Sequence, residues 1–195
     1  MSNGSESSPD GAIVRYPRRV WLSLGSNLGD RRGMIERALT MIARLPGTAL
    51  GPLSHLYETA PIGITDQPSF LNLAAGVDTT LEAGELLRSL KMVEETIGRQ
   101  ARGKWREREI DIDILLDGER TVDDGDLHLP HPRMTTRRFV LLPLAEIAPD
   151  VRHPVTHETI SELLRSLPTE SEQDRVVDRG ALSTYQTPDT FGTDA

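Results

Sequence analysis

The chain has 195 residues, 37% hydrophobic and 27% charged, which suits one domain with a core and leaves little room for a second. It has no cysteine, which excludes disulfide frameworks, thiolate metal sites and cysteine nucleophiles. The net charge of −8 argues against wrapping nucleic acid, and no apolar stretch reaches the length of a membrane span.

Residues 1–18 are polar and acidic at the start. They lack the apolar run of a signal or transit peptide, so a cytoplasmic protein with a disordered N-terminal extension is expected. Val20-Trp-Leu-Ser-Leu reads as a strand leading into a Gly-Ser-Asn-Leu-Gly turn. Ile35, Ala38, Leu39, Ile42 and Leu45 follow at helical spacing, and Pro46-Gly47 stops that helix. Leu53 to Thr59 reads as a strand, and Ala60 to Ser69, with two prolines and a glycine, as an ordered loop.

Phe70 to Thr79 alternates, with Leu71, Leu73, Ala75 and Val77 on one face and Phe70 and Asn72 on the other. Thr80 is expected to cap a helix carrying Leu86, Leu90, Val93 and Ile97, ended by Gly98. Glu109 to Leu116 reads as a strand, a short helical segment is expected near Met134, and Thr156 to Leu167 as a last small helix. This order predicts an α+β domain over residues 19–167, one antiparallel sheet with helices packed on one face. Residues 168–195 carry six acidic side chains against two arginines, half the net excess, and are expected to be a disordered tail.

Two features carry chemistry. In Glu109-Ile-Asp-Ile-Asp-Ile-Leu, alternation sends the isoleucines to the core. It leaves Asp111 and Asp113 on the other face, about 6.5–7 Å apart at Cα. Two carboxylates that close repel without a cation between them, and hard oxygen ligands suit Mg²⁺. For an isolated Asp-x-Asp a solvated acidic face would be the better explanation, since short motifs recur by chance. The neighbouring cations Arg99, Arg102, Lys104, Arg106 and Arg108 tip the balance, because metal-holding carboxylates beside phosphate-binding cations are what phosphoryl transfer requires. The second feature is flat-ring recognition. Phe70 offers a stacking face, Asn72 an amide that reads a heterocycle edge, and Phe139 a second ring, although the residues alone favour reading both rings as core.

Several blocks in order resemble the 6-hydroxymethyl-7,8-dihydropterin pyrophosphokinases of folate biosynthesis. They are Leu24-Gly-Ser-Asn-Leu-Gly, Tyr57-Glu-Thr-Ala-Pro-Ile-Gly with Asp66-Gln-Pro-Ser-Phe-Leu-Asn, Arg108-Glu-Ile-Asp-Ile-Asp-Ile-Leu, and Leu129-Pro-His-Pro-Arg-Met with Arg137-Arg-Phe-Val-Leu-Leu-Pro. The resemblance implies a ferredoxin-like sandwich and transfer of pyrophosphate from ATP to the pterin alcohol, releasing AMP. It implies that Asp111 and Asp113 hold two Mg²⁺ ions. Phe70 and Phe139 would sandwich the pterin, with Asn72 and the backbone near Thr59 and Ile62 reading its edge. Arg99, Arg108, His131 and Arg137 would contact phosphates, and Glu94, Trp105 and Ile114 would line the ATP side. Arg106 and Ala60 stand where the family usually has a small residue and a proline.

The expected partners are ATP and the pterin, with no nucleic acid and no membrane, and a monomer is expected. The alternatives are another Mg-dependent phosphoryl or nucleotidyl transferase, and a non-catalytic ligand-binding module.

Overall fold

The computed structural model describes residues 17–61, 67–100, 107–168 and 175–182. The chain enters through β1 (Arg18–Ser26) and turns at Asp30, whose carboxylate accepts the Gly33 N–H and caps α1 (Arg31–Ile42). β2 (Thr48–Leu53) and β3 (Tyr57–Thr59) follow. Where the sequence predicts one strand over Leu53 to Thr59, the chain breaks. The Ser54 hydroxyl accepts the Ala74 N–H and the Ser54 N–H donates to the Ala74 carbonyl. This irregularity separates two strands that pair with different parts of the same neighbour.

That neighbour is β4 (Phe70–Thr79), and α2 (Ala83–Ile97) follows it. The cap of α2 is Glu82 and not Thr80. Glu82 and Glu85 form a reciprocal capping box, and Thr80 instead hydrogen-bonds back to Gly47. Gly98 closes α2 at φ 111°, a backbone conformation that glycine adopts without steric cost. β5 (Asp111–Asp117) leads to the hairpin of β6 (Val122–Asp124) and β7 (Leu127–Leu129). Near Met134 only a 3₁₀ turn forms, and α3 starts at Arg138 and runs to Ile147. The last helix, α4 (Ile160–Ser166), is shorter than Thr156 to Leu167, because Thr159 and Glu162 set its start as a capping box.

Among the described residues the main sheet is six-stranded and its paired strands are antiparallel, in order β5-β1-β4-β3 with β2 also on β4. The sixth strand is β8 (Val176–Asp178), antiparallel to β3. It lies inside the segment expected to be a tail. Its two valines and the buried Leu182 are too few to make a periodic pattern, and the strand partners of the valines lie over a hundred residues away.

α1 and α2 cover one face of the sheet, where Val20, Leu22, Leu24, Leu73, Ala75, Val77, Ile110, Ile112 and Ile114 form the main core. The second face is not free of helices, in contrast to the one-sided packing expected. Trp21, Ala74, Leu115 and Leu116 meet Val140, Leu141 and Leu144 of α3 and Ile160 and Leu163 of α4. The physical reason is a bulge: the register of β1 with β5 shifts between Trp21 and Leu22. The shift inserts Leu115 and turns an apolar pair outward beside Trp21. These helices cover only part of that face. The remainder is the trough described next. No described helix is long and apolar enough to cross a membrane.

Candidate active site

Strand pairing lines up Asn72 of β4, Gly25 of β1 and Asp111 of β5 in one row. The next row on the same face is Ala74, Ser23 and Asp113. Sheet alternation thus delivers an amide from β4 and two carboxylates from β5 to one surface, on either side of β1. The centre of the first row has no side chain. A Cβ on Gly25 would stand 3.1 Å from Asn72 Oδ1 and 3.9 Å from Phe70 Cδ1. Glycine keeps the floor of the trough open where another residue would fill it.

On the acidic side, Arg108 Nη1 donates to Asp111 Oδ2 at 2.6 Å and Arg99 Nη1 lies 2.9 Å from Asp111 Oδ1. Arg99 also pairs with Glu94. Glu94 is buried on α2, where it accepts the Ile112 N–H at 2.7 Å and faces Lys91 Nζ at 3.2 Å. Burial raises the pKa of Glu94, against the opposing pull of Lys91, Arg99 and the Ile112 N–H. Asp113 opens onto the trough but is crowded by protein. Desolvation, then the charge of Asp111, raises its pKa, against His131, Lys91 and Arg137. His131 Nε2 stands 3.9 Å from Asp113 Oδ2, and burial pushes the imidazole pKa down. The backbone N–H of His131 donates to the Leu115 carbonyl, which ties this loop to β5.

On the other side, the Asn72 amide donates to Thr59 Oγ1 at 2.8 Å and its residue is buried. Phe70 is half-buried at the start of β4. Phe139 packs partly exposed against the second core, and the Arg137 guanidinium lies over its ring at 5.5 Å. Burial, then the nearby charge of Arg133, lowers the pKa of Arg137.

An amide and aromatic slot thus opens onto the same trough as a carboxylate pair ringed by cations. Residues 21–149 match the model of the 7,8-dihydro-6-hydroxymethylpterin-pyrophosphokinase family. The chain belongs to that family. It is 44% identical over 153 residues to the 2-amino-4-hydroxy-6-hydroxymethyldihydropteridine pyrophosphokinase of Pseudomonas aeruginosa, covering 78% of this chain and 94% of that protein. It is 37% identical over 159 residues to the Bacillus subtilis protein of the same name, covering 81% and 95%. The folic acid synthesis protein fol1 of Schizosaccharomyces pombe is 36% identical over 181 residues. That match covers 88% of this chain but only 25% of the longer protein. Among solved structures, the Plasmodium falciparum HPPK-DHPS with pterin and p-hydroxybenzoate shares the fold, with a TM-score of 0.61 at 19% identity over 79% of this chain and 44% of that one.

Within this pyrophosphokinase, Asp111, Asp113, Arg99, Arg108, Glu94 and His131 gather on one side of the trough, and Phe70, Asn72 and Thr59 on the other. Ile114 does not join them, since its side chain is buried in the main core. Residues 62–66 of the loop expected over Ala60 to Ser69, with Ile62 among them, and residues 101–106, with Trp105 and the cations Arg102, Lys104 and Arg106, lie outside the described residues. The donor set fits Mg²⁺. Among the described residues no group of three or more acidic or histidine side chains could hold a metal, and an aspartate pair suits an ion that keeps waters and completes its shell with phosphate oxygens.

Asn27 is a site residue that the sequence does not single out. It is buried, its Oδ1 accepts the Arg108 N–H at 2.8 Å, and its N–H donates to the Arg108 carbonyl. Its Nδ2 reaches the Pro68 carbonyl at 3.2 Å. It therefore joins the approach to Phe70 with the approach to Asp111. Only its place in the Gly-Ser-Asn turn was legible, because its partners are 41 and 81 residues away.

Proposed function

We propose that this pyrophosphokinase works at the trough between Phe70 and Asp113, moving a pyrophosphoryl group from ATP to 6-hydroxymethyl-7,8-dihydropterin in folate biosynthesis. The observation that carries this reading is the row Asn72, Gly25, Asp111, which sets a ring-binding slot beside a carboxylate pair with bare backbone between them.

Phe70 and Phe139 stack on the pterin, and Asn72 with Thr59 reads its edge. Fixing the ring in this way converts a bimolecular encounter into an oriented one. The hydroxymethyl oxygen bonds to the β-phosphorus, the bond from that phosphorus to the oxygen of the α-phosphate breaks, and AMP leaves. Arg99 and Arg108 carry more N–H donors than Asp111 uses, which leaves donors for phosphate oxygens. His131 and Arg137 add donors from the far wall, while Glu94 steadies Arg99 on the nucleotide side. Asp113 is the candidate acceptor of the hydroxyl proton, since its surroundings raise its proton affinity. Asp111 and Asp113 would hold two Mg²⁺ ions, which would supply neutralisation of the phosphates and a lower pKa for the attacking hydroxyl.

A cytoplasmic location and small-molecule substrates, without nucleic acid, agree with the acidic, cysteine-free composition. The test is product analysis. AMP, and not ADP, should appear from ATP-Mg only when the pterin alcohol is present. Pterin-independent AMP, or ADP as product, would overturn the reading.

A further inference from the structure

β8 lies beyond the residues 21–149 that match the family model, yet it forms the sheet edge next to the pterin wall. It pairs Val176 with Thr59, Val177 with Glu58 and Asp178 with Tyr57. The Leu56 N–H donates to the Gly180 carbonyl and the Arg179 N–H to the Leu56 carbonyl. Arg32 Nη2 holds the Ala181 carbonyl at 2.8 Å, and Leu182 is buried in the main core.

One side chain of this segment connects further. Arg179 Nε donates to Glu58 Oε2 at 2.7 Å. The other oxygen of Glu58, Oε1, accepts Arg31 Nη1 at 2.9 Å. The same Arg31 nitrogen donates to the Ser69 carbonyl at 2.6 Å. Ser69 immediately precedes Phe70, and Glu58 immediately precedes Thr59, which holds the Asn72 amide. Alternation along β3 puts Glu58 behind the sheet from Thr59. The ionic chain therefore braces the wall from the back and touches no ligand. Both arginines hold the Glu58 carboxyl below the usual carboxylate range, Arg31 more than Arg179.

We propose that Arg179 is a positioning residue for the pterin, acting through Glu58 and Arg31 to fix Thr59 and the Ser69–Phe70 start of β4. This rests on the assignment of Phe70, Asn72 and Thr59 to the pterin. Arg179 is half exposed, so its loss leaves the fold standing. It acts on pterin binding and leaves the Asp111 side untouched. A lysine keeps the charge but not the planar fork, so it restores part of the effect.

The experiment compares Arg179→Ala, Arg179→Lys and Asn72→Ala with the unaltered full chain. Each is measured for pterin dissociation constant in the presence of a non-hydrolysable ATP analogue, analogue dissociation constant alone, kcat and thermal midpoint. Expected for Arg179→Ala is pterin affinity about two- to fivefold weaker, the range of a partly exposed ion pair. Analogue affinity and kcat at saturation should be unchanged, with a smaller loss in Arg179→Lys. Equal weakening of both ligands, or a lower midpoint with unchanged pterin affinity, would overturn it as plain structural damage. Weakened pterin binding in Asn72→Ala alone would overturn the relay and keep the site. Unchanged binding in both would overturn the site and the relay with it.

Discussion

Glu94 accepts the backbone N–H of Ile112, the residue that stands between the two aspartates of β5. Among the described residues β5 is an edge strand and this N–H has no strand partner, and a buried carboxylate on α2 supplies one. Glu94→Ala leaves the N–H unsatisfied and should cost about 1–3 kcal/mol of stability. Glu94→Gln keeps an acceptor and removes a charge that burial already penalises, so its cost should be smaller. Denaturation midpoints of the two variants check the order; equal midpoints would remove the strand-clamping role.

Asp111→Asn, Asp113→Asn keeps side-chain size while withdrawing both charges from the trough. Turnover should fall by a factor on the order of 10² or more, with the fold preserved. AMP release and circular dichroism measured together decide it. Near-normal turnover in the folded double variant would remove the carboxylates from the chemistry.

Phe70→Ala and Phe139→Ala separate a stacking role from a packing one. Neither ring belongs to the fully buried core. Each truncation should weaken pterin binding by about 1–3 kcal/mol, as for stacking of a base on an aromatic ring. The cost to folding should fall short of the roughly 3–5 kcal/mol of a buried phenylalanine. Pterin titrations beside denaturation curves provide the contrast, and a stability loss of core size with unaltered binding would contradict the assignment.

Acidity should tune the join between β3 and β8. His55 Nδ1 lies 2.9 Å from Asp178 Oδ2 and its Nε2 3.8 Å from Glu146 Oε1. Glu146 also accepts the Tyr57 hydroxyl. The bond to Asp178 raises the His55 pKa, and the same bond lowers that of Asp178. A raised histidine stabilises fully below its unfolded pKa of about 6.5 and loses this as pH climbs through its folded value. A lowered aspartate stabilises above about pH 4 and loses this as pH falls through its folded value. The pair therefore contributes most between about pH 4 and 6.5. Exchange of the Leu56 and Arg179 amides, corrected for intrinsic rate, should be slowest in that window and flattened by His55→Ala. Protection with no pH dependence would rule out the pair as the cause.

What the sequence disclosed followed the range of each signal. Alternation is local, so the division of Ile110, Ile112 and Ile114 from Asp111 and Asp113 was legible, as was that of Leu71 and Leu73 from Phe70 and Asn72. The row through Gly25 was not, because it needs the pairing of β1 with both neighbours. The bulge that inserts Leu115 hid the second helical layer, since it breaks the period from which faces are counted. Asn27 and Arg179 escaped for the same reason. Each is a lone polar residue in its own segment and gains its meaning from partners far along the chain.

The bare backbone at Gly25 has a consequence for inhibition. A compound lying across that floor would press on main-chain atoms, which no substitution can delete. Resistance at that spot has to add volume, and the first added atom would stand 3.1 Å from Asn72 Oδ1, in the space of the proposed pterin site. Compounds anchored there would face a target whose escape variants damage their own enzyme, whereas those reaching out to the exposed rim at Lys91 would not.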